Sequence, residues 1–355
     1  MTAEAQLAAQ IKTATGPLHI IGGGSRSIGP ATGRPIFTET LTGITHYDPG
    51  ALTIIARAGT PLAEVEAALA ENNQILPFEP VLPGAALGRT GASTIGGVVA
   101  ANASGARRIS AGACRDAALG LTFIDGLGQI HRAGGRVMKN VTGYDTTRLL
   151  CGSHGTLGLI TKVALKLLPA PETTLTLRAE GLDDVPAIAA LTQALATPYD
   201  VSAAQHVCGG ATLLRLEGFA ASTKARTAAL QALLPQFSLA KHDWAAARQL
   251  HGMAPEPNET LWRISTRPSH GAATGAALRT AAASRIAYDW AGGLIWAIAP
   301  KGADLRAAMP HTGHATRLDD AAAAFHPEPG PQAALSVALR QKFDPKALFN
   351  HAKMA

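Results

Sequence analysis

Glycines are concentrated in the stretch 84–116, where they occur at positions 84, 88, 91, 96, 97, 105 and 112. Ala, Ser, Thr and Val fill most of the positions between them, so the stretch has few large side chains with which to build a core. Ordering a glycine in regular structure costs roughly 0.5–1 kcal/mol more than ordering an alanine. Close contact between backbone and ligand, with N–H groups directed at anionic oxygens, would offset that cost. We interpret the stretch as the wall of a nucleotide-cofactor pocket; the alternative is a small-residue helix packed tightly on a sheet.

A second glycine cluster, 22–24, follows the apolar run 18–21 and precedes Ser25 and Arg26. Three glycines and a serine after a strand predict a tight turn with exposed N–H groups, which suits a pyrophosphate. The spacing differs from the G-x-G-x-x-G of the dinucleotide-binding Rossmann fold, so we do not predict that fold. A third glycine-spaced segment, 152–158, follows Gly143-Tyr144-Asp145 and leads into a strand.

Few other residues have types and spacings that indicate chemistry. A guanidinium binds a carboxylate bidentately, so Arg263 and Arg267 are candidates for a carboxylate substrate; the alternative is a pair of solvated arginines at a strand rim. His311 and His314 form a lone His-x-x-His pair, which is a weak signal, and we predict no metal site. Asp145 is expected to cap a helix rather than to act in catalysis. The sequence leaves the catalytic residues unassigned.

The composition excludes several classes of protein. The net charge of +6 comes with only 16% charged residues and no block of Lys or Arg, so nucleic-acid binding is not expected. The three cysteines are far apart and form no C-x-x-C, which argues against an iron–sulfur cluster or a cysteine zinc site in this chain. No uncharged apolar run approaches the ~18 residues of a membrane span, so no direct membrane insertion is expected. The N-terminus lacks a signal-peptide layout, so we expect a reducing compartment.

Strands and helices alternate in the first half of the chain. Strands are predicted over 18–21 and 53–57, and a helix is predicted from Pro61 to about Asn72 with Thr60 as its N-cap. With the extended segment after it, this forms a βαβ-like unit. A hairpin is expected over 119–132, because Asp125-Gly126 is a strong turn signal.

The composition changes after Pro169-Ala170-Pro171, a boundary signal. Strand-like runs then alternate with Ala-rich helical windows, which predicts an α+β second domain. We therefore expect three segments: a domain over 1–170, a cap domain over 171–330, and a C-terminal segment over 331–355 that returns to the first domain. Leu348 and Phe349 should dock that segment on the main body.

The glycine elements 22–29, 94–105 and 143–161, in that order and spacing, resemble the FAD-binding domain of the p-cresol methylhydroxylase and vanillyl-alcohol oxidase type. The closing run Asp344-Pro345 to Asn350 resembles the C-terminal return of that family. The segments 139–145, 262–265, 289–296 and 313–316 are similar to the FAD-binding subunits of glycolate oxidase, also called glycolate dehydrogenase. The resemblance implies an α+β fold class, with a two-part FAD-binding domain of the p-cresol methylhydroxylase type and an α+β cap domain.

FAD is the cofactor that the resemblance implies. The predicted cofactor-binding residues are Gly22, Gly23, Gly24, Ser25, Gly96, Gly97, Ala101, Gly105, Ile160 and His314. Nanomolar binding needs about 12 kcal/mol, so several glycine elements must converge on one extended molecule. Relatives with covalently attached flavin often place a histidine just after the first glycine turn. Ser25 and Arg26 stand there instead, so we predict non-covalent FAD.

The resemblance also implies partners. The expected activity is that of a subunit in a complex that oxidises glycolate, a small 2-hydroxy acid, to glyoxylate. A catalytic flavin subunit takes the hydride, and an iron–sulfur subunit carries the electrons onward. The H-x-G-D-G-N and E-H-G motifs of the catalytic relative are absent from this sequence. A stand-alone flavin oxidase and a non-catalytic scaffold subunit remain alternatives. We expect a cytoplasmic location, with any contact with the inner membrane made through partners.

Overall fold

A computed structural model describes residues 2–135, 144–321, 323–350 and 353. Residues 139–143 of the glycolate-oxidase-like segment 139–145 lie outside the described residues. The helices are α1 (Ala3–Lys12), α2 (Leu62–Ala70), α3 (Ile95–Ala100), α4 (Arg108–Ala111), α5 (Cys114–Ala117), α6 (Thr146–Leu150), α7 (Asp184–Leu195), α8 (Ala220–Leu233), α9 (Trp244–Arg248), α10 (Gly271–Thr280) and α11 (Gly330–Phe343). None of the helices in these ranges is both long enough and apolar enough to cross a membrane.

The strands, together with two short 3₁₀ turns at Pro268–His270 and Trp290–Gly292, complete the described elements. The strands are β1 (Leu18–Ile21), β2 (Arg34–Phe37), β3 (Ile44–Asp48), β4 (Thr53–Arg57), β5 (Gln74–Ile75), β6 (Ala118–Ile124), β7 (Ile130–Gly134), β8 (Leu159–Lys166), β9 (Leu168–Pro169), β10 (Thr173–Glu180), β11 (Val201–Val207), β12 (Ala211–Gly218), β13 (Ser238–Ala240), β14 (Glu259–Ser265), β15 (Arg285–Asp289), β16 (Leu294–Pro300) and β17 (His314–Arg317).

The chain divides into two compact units. The first comprises Met1–Ser104, Ala113–Pro169 and Asp320–Ala355, and the second comprises Gly105–Gly112 and Ala170–Asp319. Part of the glycine-rich stretch, Gly105–Gly112, thus belongs to the second unit, although nothing in its composition separates it from its neighbours. The first unit resumes at Asp320, eleven residues before the C-terminal segment expected from the sequence.

The first unit is built on a five-stranded antiparallel sheet in the order β3-β4-β8-β6-β7. Helix α2 buries Leu62, Val65 and Leu69, which are spaced three and four residues apart on one helix face, in the core of the unit. The predicted hairpin is confirmed by the antiparallel pairing of β6 with β7, and the Asp125 carboxylate accepts hydrogen bonds from the amides of Leu127 and Gln129 within its turn.

Two local expectations in this unit were wrong. Thr60 does not cap α2; its hydroxyl accepts a hydrogen bond from the Gly43 amide at 2.9 Å, and Pro61 occupies the cap position. The βαβ-like unit does not form, because β5 pairs antiparallel with β9 in a separate two-stranded sheet rather than with β4. A two-residue strand carries too little pattern to specify its partner.

The C-terminal segment of the first unit packs against the start of the chain. Leu348 and Phe349 are 1% and 2% exposed, and Phe349 forms a parallel bridge with Leu18 beside the two-stranded parallel sheet of β1 and β2. The Leu18 amide donates to the Leu348 carbonyl at 2.6 Å. The expected docking of these two residues is therefore confirmed.

The second unit is an eight-stranded antiparallel sheet in the order β13-β10-β12-β11-β15-β16-β14-β17. Helices α7, α8 and α10 contribute to the core on one face, where Trp262 and Ile264 of β14 are fully buried. Successive side chains of a strand point to opposite faces, so Arg263 lies on the face away from these helices. The antiparallel sheet and its helices have the predicted α+β character, and the face away from the helices carries charged side chains.

Candidate functional site

A cleft of about 720 Å³, a volume that includes its solvent-open mouth, lies in the first unit. The residues that line it come from the first glycine turn, α3, the loop before β8 and the C-terminal segment: Ile20, Ile21, Gly22, Gly23, Gly24, Ser25, Arg26, Ser27, Thr38, Ala58, Thr94, Gly96, Gly97, Ala100, Ala101, His154, Gly155, Gly158, Ile160, Asn350 and Lys353.

The turn after β1 requires glycine for steric reasons. A Cβ on Gly23 would lie 1.7 Å from the carbonyl oxygen of Ala92, and a Cβ on Gly91 would lie 1.6 Å from the carbonyl oxygen of Gly23. Two backbone segments therefore cross in direct contact, which only glycine permits at both positions. Gly24 has a φ of +74°, in the left-handed region that glycine enters without penalty. The turn is held rigidly against 91–92.

Four successive amides in this turn have no acceptor in the protein. Within the described residues, the N–H groups of Gly22, Gly23, Gly24 and Ser25 donate to no backbone or side-chain oxygen. Amides that follow one another in a tight turn form a concave anion-binding surface. Because the turn lines the cleft, these donors are available to an anionic group of a ligand.

The glycines of α3 have a different role. The amides of Ile95 and Gly96 donate to the carbonyls of Thr60 and Ala58, so they are already satisfied. A Cβ on Gly96 would lie 2.5 Å from Ala58 Cβ, so this glycine permits close packing between α3 and the end of β4. A Cβ on Gly97 would meet only Thr94 Oγ1, at 3.2 Å, so this position opens into the cleft. The prediction that backbone N–H groups are directed at a ligand therefore applies to the first turn and not to Gly96.

Asn350 joins three parts of the cleft. Its Oδ1 accepts from the Ile20 amide at 3.0 Å, and its Nδ2 donates to the His154 carbonyl at 2.7 Å. Gly155, with a φ of +75°, lies so close that a Cβ there would be 2.8 Å from Asn350 Nδ2. The last residues of the chain therefore fix the position of β1 relative to the loop before β8.

Lys353 places a cation on the same cleft. Its side chain is 8% exposed, and it forms no ion pair with any described residue. Burial, followed by the charge of Arg89, lowers the pKa of Lys353, and the charge of Asp320 acts in the opposite direction. Arg89 itself is paired with Asp320 at 3.2 Å. A buried ammonium without an anion beside it is costly unless a ligand supplies the charge.

The structure brings eight of the ten predicted cofactor-binding residues to this one cleft. Those eight are Gly22, Gly23, Gly24, Ser25, Gly96, Gly97, Ala101 and Ile160. Gly105 and His314 do not line it; both belong to the second unit, where His314 is exposed on β17. Sequence reasoning missed Lys353, and the only signal was a lysine close to the recognised Leu348-Phe349-Asn350 run.

Comparison with known proteins agrees with this geometry. The FAD binding domain family matches residues 1–134, which carry the first turn and α3. The glycolate oxidase subunit GlcE of Escherichia coli (strain K12) is 36% identical over 346 residues, covering 95% of this chain and 92% of that protein. The chain belongs to the GlcE family. The predicted cofactor, FAD, and the predicted membership among FAD-linked oxidoreductases are thereby confirmed.

Two further comparisons show sequence similarity over part of the chain and structural similarity over nearly all of it. The glycolate oxidase subunit GlcD of Bacillus subtilis (strain 168) is 47% identical over 93 residues, which is 26% of this chain and 20% of that protein. A solved alkyldihydroxyacetonephosphate synthase superposes with a TM-score of 0.73 at 14% identity, covering 99% of this chain and 75% of its own. Together with the domain match, the latter confirms the predicted fold class.

Proposed function

We propose that the chain is the FAD-binding subunit of a complex that oxidises glycolate, or a closely related 2-hydroxy acid, to the 2-oxo acid. The observation that carries the proposal is the similarity to GlcE along nearly the whole chain, across both compact units. Similarity to GlcD is confined to 93 residues, so the chain corresponds to one subunit of such a complex and not to both.

The cleft residues fit FAD. We assign the cofactor's pyrophosphate to the four unpaired amides of 22–25, since charge-assisted hydrogen bonds from backbone N–H groups are worth about 1.5–3 kcal/mol each. Lys353 supplies a positive charge to the same cleft. The small or apolar residues Gly97, Ala101 and Ile160 form part of its wall. When bound, FAD supplies electron and hydride transfer chemistry that no amino-acid side chain provides. This chain's contribution is to bind, orient and shield it.

Attachment is proposed to be non-covalent. No cysteine lines the cleft among the described residues, and the cleft histidine, His154, packs edge-on against Phe325 with ring centroids 4.9 Å apart. Acid precipitation tests this directly. FAD should appear in the supernatant, and flavin that stays in the pellet would identify a covalent bond.

A separate electron carrier is part of the proposal. Iron–sulfur clusters in proteins are held by cysteine thiolates. Cys114 and Cys151 are buried in the first unit, and burial raises the pKa of both thiols, that of Cys151 to about 12. The third, Cys208, lies in the second unit. These three thiols do not form a cluster-binding set, and the proposal therefore assigns the onward transfer of electrons to a separate iron–sulfur subunit.

The test is to purify the chain alone, record its flavin absorbance under anaerobic conditions, and add glycolate with and without the sister flavin subunit. We expect bound FAD that glycolate bleaches only when the sister subunit is present. Bleaching of the chain alone would instead identify a stand-alone oxidase. A chain that purifies without flavin, and cannot be reloaded with it, would be a scaffold. Co-purification from the native host with iron analysis tests the electron-carrying partner.

A further inference from the structure

One arginine of the second unit stands apart from the others on its sheet face. Arg263 lies on β14, opposite Trp296 of β16 and Thr316 of β17. Its guanidinium is half-buried and has no hydrogen-bond acceptor and no ion-pair partner among the described residues. A guanidinium has five N–H donors, so this is a large unsatisfied donor set in a partly dry position.

A second cation lies beside the same aromatic ring. Arg108 Cζ is 4.6 Å from the centroid of the Trp290 indole, and Arg263 Cζ is 5.5 Å from it. Burial, followed by the charge of Arg108, lowers the pKa of Arg263 to about 10, while Asp289 opposes that shift. The guanidinium remains charged at neutral pH, so two positive groups face one ring.

The ring is held in place at some cost. Trp290 and Ala291 have φ values of +53° and +52°, in the left-handed region that non-glycine residues adopt only with backbone strain. The indole Nε1 donates to the Gly105 carbonyl at 3.0 Å, and the Trp290 amide donates to Asp289 at 2.7 Å. The same carboxylate accepts from Gln205 at 3.1 Å, and it forms no ion pair within 4 Å with Arg263.

The fold satisfies other arginines on this face. Arg215 is 1% exposed, and its Nε lies 3.1 Å from Ser202 Oγ and 3.3 Å from Glu217 Oε2. Arg107 donates to Glu217 Oε1 at 2.9 Å. Both therefore have an acceptor built into the unit. Arg263 lacks one, and a planar carboxylate is the group that fits a guanidinium fork in two parallel hydrogen bonds.

We propose that Arg263, which lies beside Arg108 over the Trp290 indole, binds a small free carboxylate. The inference deepens the proposed function, because it gives this chain its own site for a short-chain acid of the kind the complex would oxidise. The half-buried position favours a small acid over a carboxylate on another protein's surface.

Direct binding to the purified full chain tests the site without any turnover. Isothermal titration with glycolate and with oxalate should give saturable binding, whereas ethylene glycol, which lacks the carboxylate, should give none. Arg263→Met should weaken binding at least tenfold, and Arg263→Lys should restore part of it, because lysine keeps the charge and loses the fork. The matched control is Arg178→Met, an arginine of β10 already paired with Glu180, which should bind as the wild type does.

Several results would overturn the proposal. They are the absence of saturable carboxylate binding, equal binding of ethylene glycol, or glycolate affinity unchanged in both Arg263 variants while their melting temperatures match the wild type. FAD content, measured on the same samples, separates this inference from the proposed function. A chain that binds glycolate through Arg263 but supports no glycolate oxidation with its partner would leave the site standing and refute the function.

Discussion

The first glycine turn and the polar cluster around Asp184 differ in whether their polar groups have hydrogen-bond partners within the protein. In the turn, four successive amides of 22–25 donate to no described acceptor. Asp184, in the second unit, accepts from Tyr288 at 2.5 Å, from Cys208 at 3.0 Å, and from Arg279. His206 Nε2 is also only 3.4 Å from the Asp184 carboxylate. A group satisfied by its own chain holds structure together, whereas a group left without a partner in a cleft indicates a ligand.

The same comparison decides against a metal at the Asp184 cluster. The possible ligand atoms of Asp184, His206 and Cys208 lie within 4.8 Å of one another, a spacing that a metal ion can use. The Arg279 guanidinium contacts both the carboxylate and the Cys208 sulfur, so a cation already occupies this position. Burial and the Asp184 charge raise the pKa of Cys208 to about 12, which keeps the thiol protonated.

Gly97→Val should have the largest effect, because it fills the cleft without touching the folded core. A Cβ at position 97 would meet only Thr94 Oγ1, at 3.2 Å, so the variant should fold. We expect FAD affinity to fall at least a hundredfold, about 2.7 kcal/mol, as measured by flavin fluorescence titration of the apoprotein. Gly16→Val is the matched control, since a Cβ there meets nothing within 4 Å. A folded Gly97→Val protein with full flavin content would show that FAD does not bind in this cleft.

Asp184→Asn should destabilise the second unit without reducing FAD occupancy. Removing one partner of a buried pair costs 3–5 kcal/mol, but the Arg279 side chain is 41% exposed, so we expect about 2 kcal/mol in urea unfolding. Burial alone would raise the pKa of Asp184, but hydrogen bonds from His206, Tyr288, Arg279 and Cys208 lower it below the ordinary 3.8.

The sign of the pH dependence follows from that lowered pKa. The unfolded chain takes up a proton near pH 3.8 that the folded chain does not, so this contribution is present above that pH and is lost as the solution becomes more acid. The Asn variant should show a flatter fall in stability below pH 4 than the wild type. If stability falls equally steeply with pH in both proteins, the Asp184 carboxylate is not stabilised by the hydrogen bonds described above.

Lys353→Met tests the charge in the cleft. We expect FAD to bind about tenfold more weakly, a loss of about 1.4 kcal/mol, because the methionine keeps the packing and removes the cation. Since the pKa of Lys353 is lowered from 10.5, wild-type FAD affinity should begin to fall with rising pH below that value. The variant should lack this alkaline loss, and Lys346→Met, at an exposed lysine, should retain it. An identical alkaline profile in both would assign the titration to another group.

Ser25→Ala should have the smallest effect, less than threefold on FAD affinity. The turn is proposed to hold the pyrophosphate through backbone amides, and an alanine keeps the amide of residue 25. A loss of tenfold or more in the same fluorescence titration would show that the hydroxyl, and not the backbone, makes the main contact.

The fold and most of the cleft residues could be predicted from the sequence because the glycines and their spacing are recognisable. Gly23 and Gly91 must be glycine where two backbones cross, and their spacing marked the elements that form the site. The pairing of short elements could not be predicted from the sequence. Strand β5 has two residues, and its pairing with β9 depends on tertiary packing. Lys353 could not be predicted, and the sequence offered Arg263 only together with Arg267 as a candidate for a carboxylate. The missing partner that makes Lys353 and Arg263 informative is a property of their three-dimensional surroundings.

The hydrogen bonds of Asn350 make the completion of the cleft depend on a segment that is synthesised long after the first glycine turn. The glycine turn and α3 are made early, but the side chain that ties Ile20 to the His154 loop comes about two hundred residues after that loop in the chain. An unfinished polypeptide on the ribosome therefore lacks one wall of the cleft. Flavin capture should follow translation of the C-terminal segment, and truncation before Asn350 should yield a colourless protein however well the rest folds.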